Sequence, residues 1–286
     1  EGGPSQRRAG SGAPARGFAG KTHIQPCPAD PRQAFNALGV VLGVQIGSQL
    51  MLRQDVCGQG GHILPNVAPA TALGAIDHAF VLIAVAVLAL SVLIFAFRRN
   101  IDNSAAHGEI ASASPLEALR SGWAQSGALA IFLYVGAEVT IGSIMINFLN
   151  RPDVLGLPLQ TAGWYLAWIY WFGAMVGRFI GSALLPFVRA SYLLAGAAVA
   201  AACLTATAFL LHGPMAAYAA LGVGFFNSIM FPTSCTIAIE GMGTMTDKAS
   251  SLLIMAIVGG ALVPVLQGLR ADPLGLQQAL VCPLAA

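Results

Sequence analysis

The sequence predicts an all-α polytopic membrane protein with about seven transmembrane helices. Composition points there first: 56% of the 286 residues are hydrophobic and 9% charged, with a mean hydropathy of +0.73, whereas soluble domains carry about 25% charged residues. The second observation is the recurrence of apolar runs of bilayer-crossing length at residues 33–52, 78–97, 127–149, 161–185, 191–211, 214–239 and 250–269. The third is a carboxylate, Glu138, set near the middle of one of those runs.

The chain opens on a head, residues 1–32, rich in Gly, Ala, Pro, Ser and Arg and without an apolar core segment. It reads as disordered or adventitious rather than as a signal peptide. The first run repeats glycine every fourth residue at Gly39, Gly43 and Gly47, and the fourth does so at Gly173, Gly177 and Gly181. Such strips let helix backbones approach closely. Arg98, Arg99 and Arg120 flank the long polar connection 98–126, Arg178 and Arg189 surround a later loop, and Lys248 marks the next. Basic residues of short loops stay cytoplasmic, so these three loops are placed inside and 98–126 becomes a cytoplasmic linker. The sixth run holds Gly222, Gly224 and Pro232, and the seventh holds Gly259, Gly260 and Pro264. Both are expected to bend or break there, and broken helices mark gates and binding sites in transporters. The last segment, 275–286, starts another apolar run and stops short of a crossing, and the chain begins with Glu1 rather than Met. Both ends read as those of a fragment.

Several function classes drop out. The net charge of +2 is small and the basic residues are scattered, so nucleic acid finds no electrostatic footprint. The five cysteines, Cys27, Cys57, Cys203, Cys235 and Cys282, lack paired zinc or redox spacing. No metal site is expected. A polytopic membrane enzyme is the rival class, but no paired-Asp diphosphate motif, Gly-x-Ser-x-Gly elbow or His-Glu-x-x-His pattern occurs.

Glu138 is the principal candidate for function. At about 1.5 Å rise per residue it lies roughly 16 Å from either end of its run, too deep to reach water along the helix. An acid at that depth costs about 2.5–3.5 kcal/mol on insertion scales, and such residues face a bundle interior or an aqueous pathway. It is read either as a substrate or cation group or as a static partner of Tyr134, one turn earlier on the same face. Trp164, Trp168 and Trp171 form an i, i+4, i+7 stripe beside Tyr165 and Tyr170. The stripe suits the apolar face of a pyranose or an interfacial belt, with Trp171 the deepest of the three. Asn227 and Gln267 sit at membrane depth in the bent helices. They are read as binding sugar hydroxyls or as satisfying backbone freed by the bends. Glu240 is read as a cytoplasmic helix-end residue.

Three motifs carry a family resemblance: Ala34-Phe-Asn-Ala-Leu-Gly39; the Glu138 segment Tyr134-Val-Gly-Ala-Glu-Val-Thr-Ile-Gly-Ser-Ile-Met-Ile-Asn147; and Phe231-Pro-Thr-Ser-Cys-Thr-Ile-Ala-Ile-Glu-Gly241 followed by Leu252-Leu-Ile-Met-Ala-Ile-Val-Gly-Gly260. Together they resemble the glucose/galactose transporter branch of the fucose permease-like (fucose:proton symporter) sugar transporters of the major facilitator superfamily, over residues 33–278. The resemblance implies a partial major facilitator helix bundle covering about helices five to eleven of twelve. On that alignment 33–97 is a two-helix remnant of the N-terminal half, 98–126 the central cytoplasmic linker, and 127–286 the C-terminal half without a complete last helix.

The implied activity is cation-coupled uptake of a hexose by alternating access across a bacterial inner membrane, with the lipid bilayer, a hexose and a proton or sodium ion as partners and no cofactor. Asn36 matches an asparagine implicated in sugar recognition in the fucose-transporting relatives. Glu138 stands where fucose-type members tend to carry Gln. Gly177-Arg-Phe-Ile-Gly181 resembles the facilitator loop signature, which makes Arg178, with Pro232 and Pro264, a gating candidate; Arg178 reads equally as a positive-inside residue. The acidic residues those relatives use in their first and fourth helices have no counterpart here. The chain as given is therefore expected to be an incomplete and inactive piece of a transporter.

Overall fold

A computed structural model of the protein describes residues 31–52, 69–102, 118–240 and 246–285. The expectation for residues 1–30 falls outside these. Among the described residues the chain is helical and contains no strand. Helix α1 covers Pro31–Met51, α2 Pro69–Asp102 and α3 Gly122–Asn150. The expected fourth span is built from three consecutive pieces: α4 at Leu159–Tyr165, a π-helical turn at Leu166–Trp171 and α5 at Phe172–Leu184. Then come α6 at Ala190–Leu210, α7 at Pro214–Glu240, α8 at Thr246–Ala256 and α9 at Gly259–Leu274, followed by the short α10 at Leu276–Ala279 and α11 at Val281–Ala285.

Five stretches are long and apolar enough to cross a bilayer: Ile76–Arg98, Gly122–Asn150, Ala190–Leu210, Pro214–Glu240 and Ala249–Ala271. The other two expected spans correspond to the shorter apolar helix Asn36–Met51 and to the π-interrupted α4–α5 run. All seven expected positions are helical.

The core is assembled around α3 and α7. One cluster joins Ile141, Ile144, Met145, Phe148 and Leu149 of α3 to Tyr170 of the π turn and to Ala216, Ala217, Ala220, Leu221 and Val223 of α7. A second joins Ile131, Tyr134 and Val135 of α3 to Ala238 of α7 and to Leu253 and Ala256 of α8. Glycines decide how near the backbones come. A Cβ on Gly259 would lie 2.0 Å from the Phe132 carbonyl oxygen, one on Gly224 2.6 Å from the Tyr170 carbonyl oxygen, and one on Gly163 2.3 Å from Ser48 Cβ. These three positions set the spacing of α9 on α3, of α7 on the π turn, and of α1 on α4.

The two glycine strips fare differently. Gly177 and Gly181 press on Phe225, Ser228 and Ile229 of α7, whereas Gly173 meets nothing within 4 Å. The strip Gly39, Gly43, Gly47 also meets nothing within 4 Å among the described residues. The expectation of a close contact fails for that strip, and α1 approaches α4 through Ser48 against Gly163 instead. Helix α2 stands further out still, with none of its most apolar window buried. Its Arg98 guanidinium caps the ring of Phe95 at 4.2 Å, a cation–π arrangement suited to a helix end.

Of the two expected bends, the backbone shows a break only in the last span. Pro232 sits inside the continuous helix α7. The last long span breaks at Ile257 and Val258, between α8 and α9, where backbone bonds tighten to i→i+3 such as Gly260 N to Ile257 O at 2.9 Å. The break thus precedes Pro264 and falls at the Gly259-Gly260 pair. On the opposite end, Arg151 and Asp153 join at 2.6 Å in the loop after α3, and this hydrogen-bonded guanidinium holds the Asp153 carboxyl below the usual carboxylate range.

Candidate functional site

The site begins with Glu138, half-buried near the middle of α3. Tyr134, one helical turn earlier, and the Arg178 guanidinium of α5 are the polar groups within electrostatic reach of its carboxyl. Tyr134 is itself 7% exposed. Its hydroxyl donates to the Asn227 carbonyl oxygen of α7 at 2.7 Å. Both readings of Glu138 thus meet in one place, since its neighbour Tyr134 also touches α7.

A second tyrosine closes the group. Tyr170 is fully buried; its hydroxyl donates to the Glu138 backbone carbonyl at 3.4 Å, with the Asn227 side chain within its electrostatic reach. Asn227 therefore serves α3 through its carbonyl, and its amide lies toward the π turn. A π turn inserts an extra residue into a helix and frequently marks a functional site. Here it turns Tyr170 inward while Trp171 packs edge-on against it, ring centroids 5.2 Å apart.

The proline inside α7 explains the remaining polar contacts. Proline has no N–H, and its ring crowds the carbonyl four residues back, which here belongs to Ser228. Arg178 supplies the missing donor: its Nε reaches the Ser228 carbonyl at 3.3 Å. Two successive carbonyls of α7, at Asn227 and Ser228, are thus held by side chains from two different helices. Close approach at Gly177 makes this possible, because a Cβ there would sit 2.2 Å from the Phe225 carbonyl oxygen. Arg178 acts inside the bundle, against α7, rather than only as a charge at a helix end.

The other sequence candidates are more dispersed. Trp171 packs beside Gly142, where an added Cβ would lie 3.6 Å from its ring, one turn beyond Glu138 on α3. Trp164 and Trp168 are 44% and 39% exposed, so the stripe splits across the π turn and two of its members face outward. Asn36 is exposed on α1. Gln267 is completely buried, and its amide donates to the Ala279 carbonyl at 3.4 Å. Pro264, half-buried on α9, lies one turn before it. Glu240 is exposed at the end of α7, in keeping with a helix-end role. No cluster of three metal-ligating side chains occurs among the described residues.

Sequence reasoning passed over the parts played by Tyr170 and the Ser228 carbonyl. The second was within reach, because a proline in a membrane helix always orphans the carbonyl four residues before it. It also missed Gln277, whose amide donates to the carbonyls of Phe209 at 3.0 Å and Leu211 at 2.6 Å, closing the end of α6.

Comparison with known proteins gives the following similarities. No family model matches the chain. It is 36% identical over 252 residues to a glucose/galactose transporter of Brucella abortus, covering 88% of this chain and 58% of the relative. It is 36% identical over 247 residues to a putative glucose/galactose transporter of Helicobacter pylori, covering 85% and 57%. It is 31% identical over 262 residues to the L-fucose-proton symporter of Escherichia coli, again covering 85% and 57%. The chain thus spans a little over half the length of these relatives. Among solved structures it superposes on a major facilitator superfamily transporter, FucP, in the outward conformation, with a TM-score of 0.62 and 24% identity over 88% of this chain and 63% of that one. That likeness concerns the fold.

Proposed function

We propose that this chain, which belongs to the fucose permease-like branch of the major facilitator superfamily sugar transporters, supplies one wall of a cation-coupled hexose pathway with Glu138 as its coupling group. The observation that carries the reading is the Glu138 cluster. A carboxyl at the middle of a membrane helix, with Tyr134 and Arg178 within its electrostatic reach, sits where α3, the π turn, α5 and α7 meet. Lipid offers such a group nothing, whereas a pathway that exchanges a proton or sodium ion uses it.

Glucose/galactose and fucose-proton transport are the named activities of the relatives. A hexose and a proton or sodium ion are therefore the partners we assign, at a bacterial inner membrane. Trp171, beside Gly142, offers a ring to the apolar face of a pyranose. Asn227 and the exposed Asn36 offer amides to its hydroxyls. Gln267 joins them where the C-terminal helices release it. Arg178, Pro232 and Pro264 form the moving parts.

The test uses the chain completed with the matching N-terminal region of the Brucella abortus relative, reconstituted in vesicles. Labelled glucose and galactose uptake is measured with an imposed proton or sodium gradient. Glu138→Gln is expected to lower gradient-driven uptake by more than about tenfold, a loss of about 1.4 kcal/mol, while Glu240→Gln leaves it near the parent level. Equal uptake by Glu138→Gln and parent would sink the assignment.

A further inference from the structure

Helices α3 and α9 run side by side in one register. A Cβ on Gly259 would meet the Phe132 carbonyl oxygen at 2.0 Å, and one on Gly136 would meet Val263 Cγ2 at 2.5 Å. Both helices advance by four residues between these contacts, so the next facing pair, one turn on, is Thr140 with Gln267. Each is 0% exposed. Each also keeps an oxygen without a hydrogen-bond partner, Oγ1 of Thr140 and Oε1 of Gln267.

Local chemistry does not account for either orphan. Thr205, Thr207 and Thr236 return their hydroxyls to the carbonyl four residues back, each at 2.8 Å, a common resting place for a hydroxyl inside a helix. Thr140 does not use the equivalent carbonyl of Gly136. Gln267 turns its NH2 to the Ala279 carbonyl at 3.4 Å. That contact fixes the orientation of the amide, because a carbonyl accepts only from its nitrogen side. The amide oxygen is then an acceptor in need of a donor, and the Thr140 hydroxyl is a donor at the facing position. Unbonded polar atoms are costly to bury, so an arrangement that joins the two is favoured from both sides.

We infer that Thr140 and Gln267 are the two halves of a latch between α3 and α9, open in this structure and closed in a second arrangement in which the Thr140 hydroxyl donates to Gln267 Oε1. The backbone supplies the motion. Helix α9 begins at the break of Ile257 and Val258, and its first residue, Gly259, is the one set against the Phe132 carbonyl. Hinge and pivot therefore coincide. The latch lies about 12 Å beyond them along α9 at 1.5 Å rise per residue, where a rotation about Gly259 moves the helix most. Held by Ala279 when open and by Thr140 when closed, α9 is a two-state element of the kind that hinge motions use. Glu138, two residues before Thr140, points to the opposite side of α3. The latch goes beyond its coupling role and does not depend on it.

Nitroxide pairs read the latch in the 286-residue chain with its cysteines replaced, held in lipid nanodiscs. One pair joins Asn147 and Leu269, exposed on α3 and α9 beyond the latch; the other joins Leu129 and Leu262, exposed on the same helices near the pivot. Dipolar spectroscopy should show two distance populations for the first pair and one for the second. Thr140→Val, which loses only the hydroxyl function, should deplete the shorter-distance population of the first pair by about fivefold, the shift that one net hydrogen bond supports. Gln267→Met should do the same. Thr140→Ser, which keeps a hydroxyl, should keep both populations.

A single distance for the first pair in the parent overturns the latch, as do two populations that Thr140→Val leaves unchanged. Should Thr140→Val lose its helical circular dichroism, Gln267→Met decides alone, and unchanged populations in it are fatal. These outcomes are separate from sugar uptake. Loss of uptake in the Glu138→Gln chimera leaves the latch standing, and an α9 with one position on α3 discards the latch while keeping the coupling assignment.

Discussion

A carboxyl at bilayer depth is visible in sequence because no apolar run hides it, and Glu138 was the first residue to stand out. Its partners were only half legible. Tyr134 follows from helical spacing, and Asn227 was already a candidate, but nothing in the sequence says that the Asn227 carbonyl rather than its amide meets Tyr134. The glycines teach the same lesson more sharply. Gly43 and Gly177 stand in identical four-residue repeats, yet only Gly177 has a neighbouring backbone against it. Gly177→Ala must push the Phe225 carbonyl away, and overpacking of this kind costs about 1–3 kcal/mol. Gly43→Ala adds a methyl to open space on a helix and should stabilise it by about 0.5–1 kcal/mol. Reversible unfolding in mixed micelles checks the pair. Equal effects at the two positions would show that the close α5–α7 contact is not formed.

Helices as elements were read from apolar length, and all seven expected positions are helical, because burying backbone in lipid leaves a helix few alternatives. What length could not supply was the interior of the fourth span. The π turn at Leu166–Trp171 breaks the i, i+4, i+7 register of the tryptophan stripe, so Trp164 and Trp168 face outward while Tyr170 turns in. Periodicity assumes one pitch throughout, and here the pitch changes. The apolar tail at 275–286 was likewise read only as an unfinished crossing. It forms α10 and α11, and Gln277 at their start holds the terminal carbonyls of α6, which no residue of α6 can satisfy. Replacing it with an apolar residue of similar length should leave those carbonyls bare. Gln277→Met is therefore expected to cost about 1–3 kcal/mol. Unfolding of the variant and faster protease cleavage after Leu211 are the measurements. An unchanged stability would mean that water, not Gln277, serves those carbonyls.

At the scale of the whole molecule, the described helices divide into a packed group and the outlying α2. Two buried clusters meet on α3 and α7, and α1 joins the group through Ser48 against Gly163 of α4, whereas α2 leaves its most apolar window unburied. The motifs pointed to a bundle of this family, and the superposition with FucP bears out the fold; the position of α2 was not legible, because apolar faces turned to lipid and to other helices read alike in sequence. Alternating access rocks two repeats about a central site, whereas the chain spans 58% of its Brucella abortus relative. The chain alone is accordingly expected to show no saturable sugar uptake in vesicles where the completed chimera transports. Its Glu138 cluster should nevertheless form, since Tyr134, Tyr170, Arg178 and Asn227 all lie within the packed group. Labelled glucose uptake by the two proteins in matched vesicles is the comparison. Gradient-driven, saturable uptake by the 286-residue chain at the rate of the chimera would show that the chain by itself completes a pathway.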